Sequence, residues 1–404
     1  MKHPIKKNVI KIYILTTVAL YIPFYHVAKV FFEASLLILL PYLILNHKRQ
    51  DQGQKEFLVF LATIAFYCIS FLVAYTLKKS DMDIAYAINI IRIAVPLTII
   101  YYAATISSPI SIRELILTLS ISLILTFTMI VSPWYESNFS GRITLGTNLL
   151  LIYGTALAAT IILISTTLLM ANRESKRYFI LPAIALVLGI LALLASNAKG
   201  AILATIAMLT LISFTQVKTP RSFLTILILI SIILISAYSH KHTRVQLIDA
   251  YQQVENYFSP GRTTVSGSQG DRLEMWRGAL TKISDSPFAI NGNMKLIDSF
   301  QQEIKGGNIS YKIGNFKHVH NDYLQSWMSR GPIGFISLIL MMIIPIMIIQ
   351  NKSLKMMAFS FVGIYSLTSI TSVPFLHVYS LRYYCLVVTL ILISDKQLKD
   401  KEKI

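Results

Sequence analysis

Two short stretches of this chain concentrate the side chains that could move protons or hold anions. The first is Lys317-His318-Val319-His320-Asn321-Asp322-Tyr323-Leu324-Gln325-Ser326-Trp327. A neutral imidazole can take a proton from a hydroxyl near pH 7, and the first turn of a helix favours the neutral form because the dipole is positive there. His320, Leu324 and Trp327 would share one helical face, so the segment is expected to begin a helix that ends at Gly331-Pro332. A capping or interfacial histidine pair fits the same spacing, and His318 with His320 lacks an evident third metal ligand. The second stretch is Gly270-Asp271-Arg272-Leu273-Glu274-Met275-Trp276-Arg277. An arginine that follows a Gly-rich loop and opens a helix combines a guanidinium fork with free backbone N–H groups, which suits a phosphate. Pairing of Arg272 with a nearby acid or a lipid head group is the plainer alternative. Lys199, in Ser196-Asn197-Ala198-Lys199-Gly200, and Arg142, in Ser140-Gly141-Arg142-Ile143-Thr144, are further cations at the ends of apolar runs. Each either snorkels to the surface or faces a polar cavity.

The elements that must position these groups are set by composition. Of 404 residues, 54% are hydrophobic and 14% charged, too few charges to cover a soluble surface. Repeated apolar runs near the bilayer-crossing length make the expected fold class an all-α polytopic membrane protein. A soluble enzyme, a nucleic-acid binder and a disordered chain are excluded. Twelve spans are read at about 9–27, 30–46, 56–77, 84–106, 111–132, 145–171, 178–195, 199–216, 223–240, 330–350, 354–371 and 376–394. Cys68 and Cys385 both sit in apolar runs and suggest neither a disulfide framework nor a metal site.

With both termini on one side, the short segments there hold 19 Lys and Arg, against five on the other side: Lys29, Lys78, Lys79, Arg142 and Lys199. That asymmetry places the termini in the cytoplasm, and it accounts for much of the +18 net charge without a polyanionic partner. The domain plan is then spans one to nine over 1–240, an outer loop over 241–329, spans ten to twelve over 330–394 and a cytoplasmic tail over 395–404. Within the loop, Val245, Ile248, Tyr251, Val254 and Tyr257 suggest an amphipathic helix lying on the membrane or the bundle. Leu273, Trp276, Leu280 and Ile283 suggest the buried face of a second helix, stopped by Ser286-Pro287. A third short helix is expected within 294–304.

Arg92 and Arg382 fall inside spans and should face the bundle interior or find a partner. Glu33 is expected to pair with Lys29 one turn away. Asp81-Met82-Asp83 is a formal D-x-D but reads as a solvated connection beside Lys78 and Lys79. No nucleotide-binding loop is present.

The Arg-Leu-x-Met helix start, the Ser-Pro-Phe stop and the His-x-His-Asn segment before a late span, set in this topology, make the chain resemble the bacterial lipopolysaccharide O-antigen ligases. The wider superfamily includes O-antigen polymerases and protein O-oligosaccharyltransferases. The resemblance implies a glycosyltransferase-C-like architecture and an active site on the periplasmic face of the inner membrane. It implies transfer of a glycan from undecaprenyl pyrophosphate to a sugar hydroxyl of lipid A–core, with inversion and without metal or other cofactor. It puts the essential histidine at His320, the loop arginine at Arg272 and a second family arginine at Lys199, where lysine keeps the charge but loses the fork. Arg142, His318, Asn321, Tyr323 and Arg277 are carried over as substrate-binding candidates. The implied partners are the two lipid-borne glycans and membrane lipids, with no nucleic acid. A non-enzymatic lipid-linked glycan transporter is the rival from another class. It would need charges throughout the spans, where this chain has only Arg92 and Arg382.

Overall fold

The computed structural model describes residues 4–45, 55–136, 150–170, 178–216, 241–259, 267–307 and 309–402, with Leu227, Ser231 and Ile235 as isolated helical positions. The described residues are all-helical, with turns between. The long helices are α1 (Pro4–Tyr21), α2 (Tyr25–Leu45), α3 (Lys55–Lys78), α4 (Asp81–Ile106), α5 (Ile112–Glu136), α6 (Leu150–Met170), α7 (Ile180–Ser196) and α8 (Lys199–Gln216). After them come α9 (Lys241–Phe258), α10 (Ser268–Asp285), α11 (Asp322–Ile348), α12 (Lys352–Thr368) and α13 (Val378–Glu402). Seven described helices are long and apolar enough to cross a membrane: α2 to α6, α11 and α13. α1, α7 and α8 contribute shorter apolar helices. The expected ninth span lies outside the described residues, apart from the three isolated positions.

Among the described residues, several helix ends that carry basic side chains contact one another. Lys11 reaches the Pro109 carbonyl (3.1 Å) and pairs with Glu114 (2.5 Å). Lys399 bridges Glu56 (2.8 Å) and Asp395 (3.1 Å), and Asp395 also accepts the Asn351 N–H (2.8 Å). Connections of opposite parity also meet, where the Ser80 hydroxyl donates to the Asn293 carbonyl and Asp83 accepts two bonds from Asn293.

Two cores divide the labour. The large one fills the bundle. A small one, made of Met275, Ala279, Leu296, Phe300, Ile309, Ile313, Val319 and Met328, lies beneath a cap formed by α10, two short helices (Leu296–Ser299 and Gln301–Lys305) and a 3-10 turn (Tyr311–Asn315). The buried face of α10 is Glu274, Met275, Gly278 and Ala279. Leu280, expected inside, is 55% exposed, because the 296–316 segment wraps the helix from an adjacent side. On α9, Tyr257 is buried while Val245, Ile248, Tyr251 and Val254 are exposed, so that stripe does not pack on the bundle.

One kink joins cap to bundle. Gly331 breaks α11 with φ +63° and ψ −162°, a conformation that favours glycine. A Cβ there would meet the Ala289 carbonyl oxygen at 3.1 Å. Pro332 leaves the Met328 carbonyl without its helical donor, and the Asn291 side-chain amide supplies one at 2.9 Å; the break likewise opens the Ser329 carbonyl. Asn291 and Gly292 supply their N–H groups to it instead, at 3.0 and 2.7 Å.

Two expectations about charges in the spans are corrected. Glu33 pairs with Arg382 (3.2 Å), not with Lys29, because a guanidinium 1% exposed must find a counter-charge. Arg92 is exposed, since the buried face of α4 runs through Ala87, Ile90, Ile93 and Leu97 and position 92 falls off it.

Gly278→Val tests the cap core. Even a Cβ at this position would lie 2.6 Å from Ile309 Cδ1. Overpacking of this kind costs about 1–3 kcal/mol. Faster proteolysis within 268–316, with the bundle helices still protected, is the expected outcome.

Candidate functional site

The histidine segment is held from three sides. Val319 is fully buried in the cap core. Its N–H donates to Gln325 Oε1 (3.0 Å), and its carbonyl accepts from Trp276 Nε1 (3.0 Å). With Val319 pointing inward, the imidazoles on either side come together, their ring centroids 4.4 Å apart. Asn321 caps α11: its side chain accepts the Leu324 N–H at 3.0 Å. Asp322 is wholly buried, and Oδ2 accepts from the Ser369 hydroxyl and the Phe375 N–H, both at 3.0 Å. The Asp322 N–H donates to the Ser369 and Ser372 carbonyls. These bonds fasten the 369–377 connection to the histidine segment and bring the His377 ring to 5.6 Å from His318.

His320 therefore stands just before the cap, not in the first helical turn as the spacing predicts. Its φ of +53° lies in the left-handed region, which is costly for a residue with a Cβ. The helix starts later because Asn321 is the better capping side chain. The imidazole is nonetheless neutral, for a different reason. Burial, then the neighbouring His318, Arg272 and His377, push the His320 pKa down to about 3. Burial also lowers His318 to about 4 and His377 to about 3. Nδ1 of His318 and of His320 is buried without a hydrogen-bond partner among the described residues.

Arg272 comes from α10. That helix begins at Ser268, so Arg272 sits one turn inside it rather than at its mouth. Arg272 and Trp276 are four residues apart and share a face. The indole that pins the Val319 carbonyl thus presents the guanidinium near His320, and its charge is among those that disfavour the imidazolium. Gln269 lies 3.5 Å from Arg272, and Gln253 of α9 holds the Gln269 N–H (2.9 Å).

The other candidates spread around this centre. Lys199 is the first residue of α8, after the left-handed C-cap Asn197 (φ +51°). A Cβ on the adjacent Gly200 would lie 2.3 Å from Thr371 Oγ1, so α8 begins against the connection that carries His377. Tyr323 donates toward Ser366 (2.9 Å to its carbonyl), which turns its hydroxyl into the bundle. Arg277 leans on Glu274 at 3.8 Å. Arg142 lies outside the described residues. Among the described residues no group of three or more His, Cys, Asp or Glu could hold a metal.

Sequence reasoning missed His377 and Asp322. Span parity puts the 372–375 connection on the same side as His318 and His320, and that signal could have found His377. Asp322 sat within the quoted segment without a role.

Seven helices of membrane-crossing length among the described residues make this an all-α polytopic membrane protein, with a cluster of imidazoles and an arginine where the bundle meets its cap. Residues 184–339 of the 404-residue chain match the family described as O-antigen ligase. Lys199, Arg272 and His320 all fall within the match. The chain is also 37% identical over 79 residues to an uncharacterized protein of Haemophilus influenzae. That alignment covers 20% of this chain and 20% of the relative.

The three imidazoles make stability acid-sensitive. A histidine held neutral in the fold, with its pKa below the unfolded value near 6.5, leaves the unfolded state binding more protons between the two values. Stability is then full above about pH 6.5 and is lost as pH falls towards 4 and 3. Melting of the detergent-solubilised protein should drop across that window, and His377→Asn should shallow the slope. An unchanged slope would contradict the burial of this ring.

Proposed function

We propose that the chain is an O-antigen ligase, a glycosyltransferase of the inner membrane with twelve spans and its site facing the periplasm. It moves an O-antigen chain from undecaprenyl pyrophosphate to lipid A–core. The observation that carries this reading is the pairing of a buried neutral imidazole, His320, with Arg272 inside the segment that matches the family.

The chemistry asks little of the protein. The acceptor hydroxyl oxygen attacks the anomeric carbon, and the bond from that carbon to the pyrophosphate oxygen breaks. The hydroxyl proton passes to His320, and undecaprenyl pyrophosphate leaves with the bonding pair. In-line attack inverts the anomeric centre. Arg272 offers a fork to the diphosphate and stabilises charge growing on the leaving oxygen. Lys199, at the positive end of α8, adds further positive potential. An imidazole with a pKa near 3 is a weak base. The diphosphate offsets the positive charge around it and raises its proton affinity when substrate binds. Base strength is thus coupled to occupancy by the donor. Arg142, His318 and Arg277 are further substrate contacts in this reading, whereas the Asn321 and Tyr323 side chains are engaged in holding the fold.

The test is transfer by the purified protein from polyprenyl-linked donor to lipid A–core, with chelator present. His320→Ala should lower the rate by about 100- to 10,000-fold, the usual worth of a general base, with normal membrane expression. Arg272→Lys should lose most activity because the fork is lost. Lys199→Arg should be tolerated and Lys199→Ala impaired. In a deletion strain, bare core with accumulated lipid-linked polymer is the ligase outcome. Core carrying one repeat unit would assign the chain to the polymerases instead.

A further inference from the structure

Asp83 belongs to a motif that the sequence suggests is a solvated connection, yet it is wholly buried at the start of α4. Its carboxylate makes its main hydrogen bonds with one residue. Asn293 donates its backbone N–H to Oδ2 (2.8 Å) and its side-chain amide to Oδ1 (2.6 Å). The Asn293 side-chain oxygen accepts from Gln325 Nε2 (2.9 Å), and Gln325 Oε1 accepts the Val319 N–H (3.0 Å). Asp83, Asn293, Gln325 and Val319 are each at most 1% exposed. This makes an unbroken buried chain of hydrogen bonds from a bundle helix to the peptide between the two histidines. Gly292, at φ +75°, lets the loop turn in: a Cβ there would press Asp83 Oδ2 at 3.1 Å.

We propose that Asp83, Asn293 and Gln325 are positioning residues for glycan transfer, holding the Val319 peptide so that His320 keeps its left-handed conformation opposite Arg272. This rests on the reading of His320 as the base. The argument is geometric. Residue 320 adopts an unfavourable φ and cannot keep it unless the peptides on both sides are fixed. On the far side, the Asn321 cap and the Asp322 N–H do this. On the near side, Trp276 holds the Val319 carbonyl from the cap, Gln325 of α11 holds the Val319 N–H, and Asn293 with Asp83 fixes the Gln325 amide in that orientation. The helix start at Lys199 belongs to the bundle, so the relay sets the register between base and bundle-borne cation. Each amide in it donates one way and accepts the other, so the chain has a direction and cannot be shortened by one member.

The test compares Gln325→Met, which keeps volume and loses both bonds, with Ser70→Ala. Ser70 is buried and accepts from Arg330 (2.7 Å), but it shares no hydrogen bond with the relay. In full-length protein in nanodiscs, Gln325→Met should lower kcat by about 10- to 100-fold, as small misplacements do. KM for the polyprenyl-linked donor should stay within about twofold, because Arg272 remains in place. Ser70→Ala should lower the melting temperature and leave kcat near wild type. Equal kcat losses in the two variants at matched loss of stability would reduce the relay to ordinary packing and overturn the proposal. An activity-independent arm uses carbethoxylation by diethyl pyrocarbonate, read at His320 by peptide mass spectrometry. The rate at His320 should rise several-fold in Gln325→Met and not in Ser70→Ala. Equal rates at His320 in Gln325→Met and wild type would also overturn it. Should the wild-type protein transfer no glycan, the functional reading fails, and the modification rates still decide whether the relay fixes the imidazole.

Discussion

The burial of Val319 is the constraint on which the site depends. One apolar side chain enters the cap core, and its peptide is gripped at both polar ends, by Gln325 and by Trp276. The flanking imidazoles are then forced to one side of the chain. An unpaired buried amide group costs about 1–3 kcal/mol, so each grip is worth keeping for stability alone. The same grips set the direction of His320 and, through the i to i+4 step along α10, the placement of Arg272. Packing and chemistry therefore rest on the same few bonds.

Burial also sets the electrostatics. The three imidazoles owe their neutrality first to burial. They are neutral because the cap, the 369–377 connection and one another leave little water around them. Asp322 acts at one remove: by binding Ser369 and Phe375 it closes the connection over the site. Arg330, stacked on Phe71 at 3.8 Å and bonded to Ser70 and Ser326, supplies a buried cation beneath that layer.

Much of this was legible in the residue order. Apolar run length and the skew of Lys and Arg predict helices, their alternation and which connections meet. The break at Gly331-Pro332 and the stop at Ser286-Pro287 are readable because those residues have few backbone options. His320 and Arg272 stand out because imidazole and guanidinium cluster beside turn residues. What escaped depends on partners distant in sequence. Asp83 looks solvated until Asn293, 210 residues later, covers it. Glu33 has a local lysine in view, and its true partner lies 349 positions away. The burial of Glu274 and the exposure of Leu280 depend on a wrapping segment that no helical period encodes. Periodicity reports one face, and tertiary context decides which face that is.

The row of rings running from His320 through His318 to His377, at 4.4 and 5.6 Å, has one more implication. Groups this close do not titrate as independent sites. Once one ring is charged, its neighbours face added repulsion and bind a second proton more weakly. The row thus titrates as one coupled unit whose successive protons bind with falling affinity.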